Sequence, residues 1–359
     1  MSLIKLCKEG DLEGVRAALE RGVDVNSKDE QGLTGLMRAV ENDHDSVVEL
    51  LLQCPTLSFL DICYAGDLER VKAALQNGTD VNTKDENGRT GLMRAVDNNH
   101  YSVVELLLKT PNIDVNHRGD YNICALYSAI YCSNIGYNKA LKLLLDVPNI
   151  DVNRVKDDGF NALHHAVLGN NIEALKLLLN VPSIDVNIVS TDSGASALLL
   201  AVDNRYGHRY GWDNRCGHRY GHKIEALKLL LNAPGINVNI VDNEGQSALH
   251  RAVSENNIEG LKLLLEVPSI DVNIVDNRGR NAVHQAVTDD NIWALKLLLN
   301  HPGTTILTLN LKDTYGLTPV MRAVKYEENS RCLKLLAADP RVDLDTTDAN
   351  GWSLEDLAR

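Results

Sequence analysis

No stretch of this 359-residue chain is apolar for long enough to cross a bilayer, and no charged-then-apolar leader follows Met1. The expectation is a cytoplasmic protein without membrane insertion, a nuclear location remaining open. Positive charge is in short supply: 36 Lys and Arg stand against 49 Asp and Glu, for a formal net charge of -13. That balance argues against general affinity for nucleic acid or acidic membrane. The seven cysteines lack a regular pairing pattern, which fits free thiols in a reducing compartment. Cys63 and Cys332, at apolar helical positions, read as small core residues. No Gly-x-Ser-x-Gly elbow, phosphate loop, His-Glu-x-x-His or Cys-x-x-Cys occurs, so neither enzyme activity nor a cofactor is expected.

What the chain does have is repetition. Asp242 to Val275 reads DNEGQSALHRAVSENNIEGLKLLLEVPSIDVNIV, and the block from Asp276 reads DNRGRNAVHQAVTDDNIWALKLLLNHP. A period of about 34 residues marks a repeat array. Gly245, free to take positive φ, suits a tight turn at a hairpin tip. Ala248, Leu249, Ala252 and Val253 give one apolar stripe on a first helix. Asn256 and Asn257 break the pattern, a second helix carries Ile258, Leu261, Leu263, Leu264 and Leu265, and Pro268 ends it. Ile270, Val272 and Ile274 alternate with polar residues, as a short extended segment would. One unit cannot bury its own apolar faces, so neighbours must stack. Stacking also frees the array from the size at which a single core stops growing.

The motifs S-A-L-H-R-A at Ser247 to Ala252, N-A-L-H-H-A at Asn161 to Ala166 and T-P-V-M-R-A at Thr318 to Ala323 carry a resemblance to ankyrin repeat proteins, over essentially the whole chain. The resemblance implies an all-α solenoid of stacked helix pairs with projecting β-hairpin loops. It also implies a non-catalytic scaffold or adaptor that meets protein partners at hairpin tips and on the exposed side of the first helices. His164, His250 and His284 share the motif position that Met37, Met93 and Met321 fill elsewhere. In the family that histidine is structural, bonding the turn and nearby backbone. The family further raises asparagine hydroxylation at D-V-N positions such as Asn153, Asn187 and Asn273.

Departures from the template divide the chain. Residues 1–28 read as an N-terminal cap, 29–56 as a repeat and 57–84 as a duplicated, cap-like unit inside the array. Repeats fill 85–347, with an insertion near 203–223, and 348–359 begin a partial repeat. The internal duplication is visible where GDLEGVRAALERGVDVNSKDEQGLTGLMRAV from Gly10 matches GDLERVKAALQNGTDVNTKDENGRTGLMRAV from Gly66. Lys5, Lys8 and Glu9 then correspond to Asp61, Tyr64 and Ala65, so the inner copy has lost charge. Its former outer face is expected to be partly covered, with altered stacking at Gln53 to Leu57, where a hairpin is missing. Tyr121, Tyr127, Tyr131 and Tyr137 crowd one repeat, and a lengthened hairpin is expected around Thr304 to Leu311.

The position after Leu-His or Leu-Met runs through the array as Lys5, Arg38, Asp61, Arg94, Ser128, His165, Leu200, Arg251, Gln285 and Arg322. Arginines there suggest a protein partner with acidic groups, since a guanidinium grips carboxylates in bidentate geometry; solvated surface charge is the plainer alternative. Predicted hairpin tips add Leu33, Tyr121, Phe160, Tyr315 and Leu317 as candidate contacts. A monomer is expected. The insertion DNRYGHRYGWDNRCGHRYGHK holds His208, Cys216, His218 and His222, competent zinc ligands without the spacing of a known finger. Its alternating Arg and Tyr could stack on single-stranded RNA, although its glycines favour a plain exposed loop. A further alternative makes the array the substrate-recruiting arm of a larger protein or complex.

Overall fold

The computed structural model describes residues 2–133, 138–203, 223–325 and 330–358, excepting the side chains at 121, 133 and 330. Local structure follows from the residues of the repeat. Asp242 Oδ1 accepts the backbone N–H groups of Glu244 and Gln246 at 2.9 and 2.8 Å, which curls the chain into a turn. Gly245 supplies the φ of 73° that this turn requires. Ser247 caps the first helix, Ala248–Ser254. Asn256 at φ 51° reverses the chain, and Asn257 caps the second helix, Ile258–Leu265, by accepting the Gly260 N–H at 2.8 Å.

Two expectations about the connections are corrected. The segment around Ile270, Val272 and Ile274 is a turn, because Asp271 Oδ1 accepts the Asn273 N–H at 2.9 Å and that local bond replaces strand pairing. Among the described residues the hairpins reduce to isolated antiparallel bridges such as Lys28 with Thr34 and Val241 with Ser247. The lengthened hairpin near Thr304 contains a turn of helix, Ile306–Leu309, started by a capping box between Thr305 and Thr308 and anchored by the fully buried Leu309.

The chain forms two compact units, Met1–Asp157 and Asp158–Arg359. In the first, the first helices Leu3–Glu9, Gly35–Glu41, Phe59–Ala65, Gly91–Asp97 and Ala125–Ser133 pack in succession. Second helices pack likewise, Leu12–Glu20 on Asp45–Leu52 and Leu68–Gln76 on Tyr101–Leu108. At the shortened junction Arg70 of helix Leu68–Gln76 donates to the Leu52 and Cys54 carbonyls at 2.7 and 2.9 Å, at the end of helix Asp45–Leu52. In the second unit the first helices run from Ala162–Leu168 through Ala197–Val202, Ala248–Ser254 and Ala282–Thr288 to Pro319–Lys325, which also receives the short helix Leu354–Leu357. Each unit is an all-α stack of helix pairs.

The core is rebuilt in every repeat from the same positions. Ala162, Leu163 and Ala166 of one first helix, and Ala174, Leu175 and Leu178 of its second, are at most 1% exposed. Small alanines let neighbouring helices approach while the leucines fill the space between them.

Asparagines tie successive repeats together. Asn82 Nδ2 donates to the Asn112 carbonyl at 2.9 Å while its Oδ1 accepts the Asp114 N–H at 2.8 Å. Asn116, Asn187, Asn239 and Asn310 make the same pair of bonds to the next repeat. Asn273 departs: its Oδ1 accepts from Thr308 Oγ1 at 2.5 Å.

The same clamp explains the shortened junction. Asn26 Nδ2 donates to the Thr56 carbonyl at 2.8 Å and its Oδ1 accepts the Ser58 N–H at 2.9 Å. Ser58 is also the N-cap of helix Phe59–Ala65. Elsewhere those two jobs fall to separate residues, as with Asp151 and Asn161. Merging them in Ser58 deletes the intervening hairpin while keeping the tie between repeats.

Candidate protein-binding surface

The arginines of the first helices face their own repeats. Arg38 donates through Nε and Nη2 to Asp29 Oδ2 at 2.8 and 2.6 Å, and through Nη1 to Glu41 at 2.9 Å. Arg94 pairs with Asp85, their side chains 4% and 5% exposed. Arg251 pairs with Asp242 and reaches Asp203 at 3.4 Å. Arg322 meets Asp313 at 2.6 Å. In each case the aspartate is the one that opens the repeat's hairpin, and it divides its oxygens. Asp313 Oδ1 holds the N–H groups of Tyr315 and Leu317, and Oδ2 holds Arg322.

The expectation that Arg38, Arg94, Arg251 and Arg322 offer open forks to a partner's carboxylates is therefore corrected: the forks are closed on internal carboxylates. Where Gln285 replaces the arginine, Arg280 takes over and grips Asp276 at 2.8 and 2.6 Å. These contacts show in the carboxyl groups. Burial raises Asp29 and Asp276, but hydrogen bonds outweigh it, from the Leu33 N–H and Arg38 in the first case and from Arg280 in the second, so both lie below the ordinary carboxylate value.

The other proposed contact residues separate by burial. Phe160 is 1% exposed and stacks on the His164 ring at 5.1 Å, so it is a core residue, not a projecting tip. Leu200 is fully buried, His165 is 2% exposed and Leu317 is 2% exposed. Gln285 is buried and donates to Asp289 at 2.7 Å. Tyr315 is a true tip at 62% exposed. Tyr121 lies in the 3-10 turn Asp120–Asn122, and its side chain is outside the described set. His208, Cys216, His218 and His222 lie outside the described residues. Among the described residues no group of three or more His, Cys, Asp or Glu could hold a metal ion.

Several exposed apolar residues escaped the sequence reading: Trp293 at 65%, Ile306 at 60%, Leu307 at 81% and Trp352 at 54%. For Trp352 the signal was available, because it occupies the template position of Leu33 and Leu317. For Trp293 it was a break in pattern, a tryptophan where Glu173, Glu225 and Glu259 stand in other second helices.

The motif histidines are structural. His164 Nδ1 accepts the Asn161 N–H at 3.1 Å, and its Nε2 meets the Ala195 carbonyl of the following repeat at 3.0 Å. His250 and His284 repeat the arrangement with the carbonyls of Arg280 and Leu317. Burial holds the His164 and His284 rings down at about 4 and lowers His250 as well. Buried Cys7 and Cys332 thiols are pushed up to about 12 by burial, as inert core thiols are.

An open cleft is found in the first unit. This cleft of about 520 Å³ lies between helix Leu3–Glu9 and the first hairpin, lined by Ser2, Ile4, Lys5, Lys8, Lys28, Asp29, Glu30, Gln31 and Arg38.

Comparison with known proteins supplies the remaining context. A family model described as ankyrin repeats (3 copies) matches residues 59–156, 129–210, 217–308 and 269–348, and a second, ankyrin repeats (many copies), matches residues 3–52. The chain is similar to the putative ankyrin repeat protein YahD of Escherichia coli (strain K12), 28% identical over 139 residues, which is 36% of this chain and 69% of that protein. It is also similar to an L-asparaginase of Dirofilaria immitis, 35% identical over 89 residues, which is 24% of this chain and 15% of that enzyme. Among solved structures, an ankyrin repeat protein aligns with TM-score 0.49 and 27% identity, covering 58% of this chain and 96% of its own. An ankyrin repeat domain from Acinetobacter baumannii AYE aligns with TM-score 0.48 and 26% identity, covering 58% and 95%.

Proposed function

That this chain belongs to the ankyrin repeat family is the premise on which we propose a non-catalytic scaffold or adaptor, binding a protein partner through its exposed hairpin tips and open first-helix surface. The observation that supports this reading is how the polar side chains divide. Aspartates, arginines, asparagines and histidines at the recurring positions are engaged in turns, caps and ties between repeats. Exposed groups that vary between repeats, such as Tyr315 and Trp352, are left for recognition. No helix among the described residues is long and apolar enough to cross a membrane. We place the protein in the cytoplasm, a reading supported by the buried thiols of Cys7, Cys63, Cys124 and Cys332, none of them in a disulfide.

A second reading, an ankyrin arm that recruits substrates for a larger protein, is favoured by the L-asparaginase match, where a segment resembling this repeat array occupies 15% of an enzyme. Quantitative affinity capture from a cell extract, with the intact protein beside a Tyr315→Ala/Trp352→Ala variant, tests the tip surface. The expected result is a partner recovered with the parent and reduced about tenfold or more in the variant, since aromatic anchors carry much of an interface's energy. Equal recovery with both proteins rules the tip surface out.

A further inference from the structure

The internal duplication makes one half of the first unit a control for the other. Helix Leu3–Glu9 and helix Phe59–Ala65 are the same element in two copies: Ser2 and Ser58 cap them, and Gly10 and Gly66 close them with φ of 71° and 76°. His44 meets the Lys8 carbonyl at 3.0 Å as His100 meets the Tyr64 carbonyl at 2.9 Å.

In the inner copy this surface is occupied by the preceding repeat. Asp61 accepts from Thr34 Oγ1 at 2.5 Å and from its own cap, Ser58 Oγ, at 2.6 Å, and is fully buried. Tyr64 is 6% exposed. Lys28 bridges to Glu86 at 3.0 Å and so joins the hairpins on either side of the missing one.

In the outer copy the equivalent surface is the open cleft. Lys5 and Lys8 stand there in place of Asp61 and Tyr64, and both are exposed. Asp29, Arg38 and Lys28 at its edge are already paired, while the exposed Lys5 ammonium stands 3.8 Å from Glu9. A surface that in one copy presents a carboxylate and is sealed therefore presents ammonium groups in the other and is open, in a chain of net charge -13.

We propose that this cleft takes an acidic polypeptide segment of a partner, seated where the preceding repeat sits in the inner copy, with its carboxylates on Lys5 and Lys8 and its apolar atoms over Ile4. The proposal rests on the protein-binding reading above and assigns it a second site with its own chemistry. Ile4, beside the two lysines, offers apolar surface that suits a polypeptide segment better than a uniform polyphosphate backbone.

Fluorescence anisotropy with a labelled hexaglutamate peptide tests it on the full chain, hexalysine and a short single-stranded RNA serving as controls. Saturable binding of hexaglutamate is expected, weakened about tenfold by Lys5→Glu/Lys8→Glu and unchanged by the charge-matched Lys296→Glu/Lys334→Glu on the second helices of the other unit. All four lysines are exposed, and unchanged thermal unfolding of both variants confirms intact stacking. Equal affinity of the parent and Lys5→Glu/Lys8→Glu, equal binding of RNA, or no saturable binding of hexaglutamate overturns the proposal. Partner capture that survives Lys5→Glu/Lys8→Glu but fails in Tyr315→Ala/Trp352→Ala sinks the cleft alone. The reverse pattern sinks the tip surface alone.

Discussion

The hairpin aspartate and the first-helix arginine show how one residue can serve two levels of structure. Asp313 is held by two backbone N–H groups on one oxygen and by Arg322 on the other, and its side chain is 0% exposed. Two charges buried together are tolerable because each satisfies the other, and removing one strands its partner. Arg322→Ala is expected to cost about 3–5 kcal/mol for that reason. Lys334→Ala, on an exposed side chain, should stay within about 0.5 kcal/mol. Thermal or urea unfolding of the two variants beside the parent checks the contrast, and near-equal effects would show that the pair contributes little.

At the scale of the helix and its connections, the asparagine clamp decides how one repeat follows another. Asn239 donates to the Ser269 carbonyl at 2.8 Å and accepts the Asp271 N–H at 2.9 Å, so it fixes both the spacing and the register of the next connection. Asn239→Ala should destabilise by about 1 kcal/mol, the net value of a typical hydrogen bond, because its site is partly open to water. The sharper signature is local: faster hydrogen exchange of the Asp271 amide, with the amides inside helix Ile258–Leu265 unaffected. Protection of Asp271 equal to that of the parent would remove the clamp from the account. The same device gives the junction at Ser58 its meaning, since the tie persists there after the hairpin has gone.

At the scale of the whole molecule, the two units are expected to differ in their response to acid. His164, His250 and His284 all belong to the second unit, while the first has Met37 and Met93 at that position. Their Nδ1 atoms accept cap N–H groups and cannot do so once protonated. With folded values near 4 for His164 and His284 against about 6.5 when unfolded, the unfolded chain binds more protons between those limits. Their stabilisation is therefore complete above about pH 6.5 and is lost as pH falls towards 4. At pH 5 the loss should be about 2 kcal/mol for each ring. Hydrogen exchange at pH 7 and pH 5 should show the second unit loosening more than the first. The substitution His164→Met/His250→Met/His284→Met should shrink that difference, and an undiminished difference would assign it to other groups.

The period, the paired helices, the glycine turns and the apolar stripes could all be read from the amino-acid order, because each depends on neighbours within a few residues. Ala248, Leu249, Ala252 and Val253 mark a buried face whatever stacks on it. The surface could not be read in the same way. Arg94 and Lys5 occupy equivalent positions, yet one is closed on Asp85 and the other lines an open cleft. Phe160 reads as a tip and is buried against His164, while Trp352 at the corresponding region of its repeat stays exposed. Whether Ser58 begins a hairpin or a helix, and which carboxylate each arginine grips, depends on atoms that sequence distance does not bring together. A periodic chain repeats its side chains, but stacking gives each copy a different neighbour, and only the folded arrangement decides which of them remain free to bind.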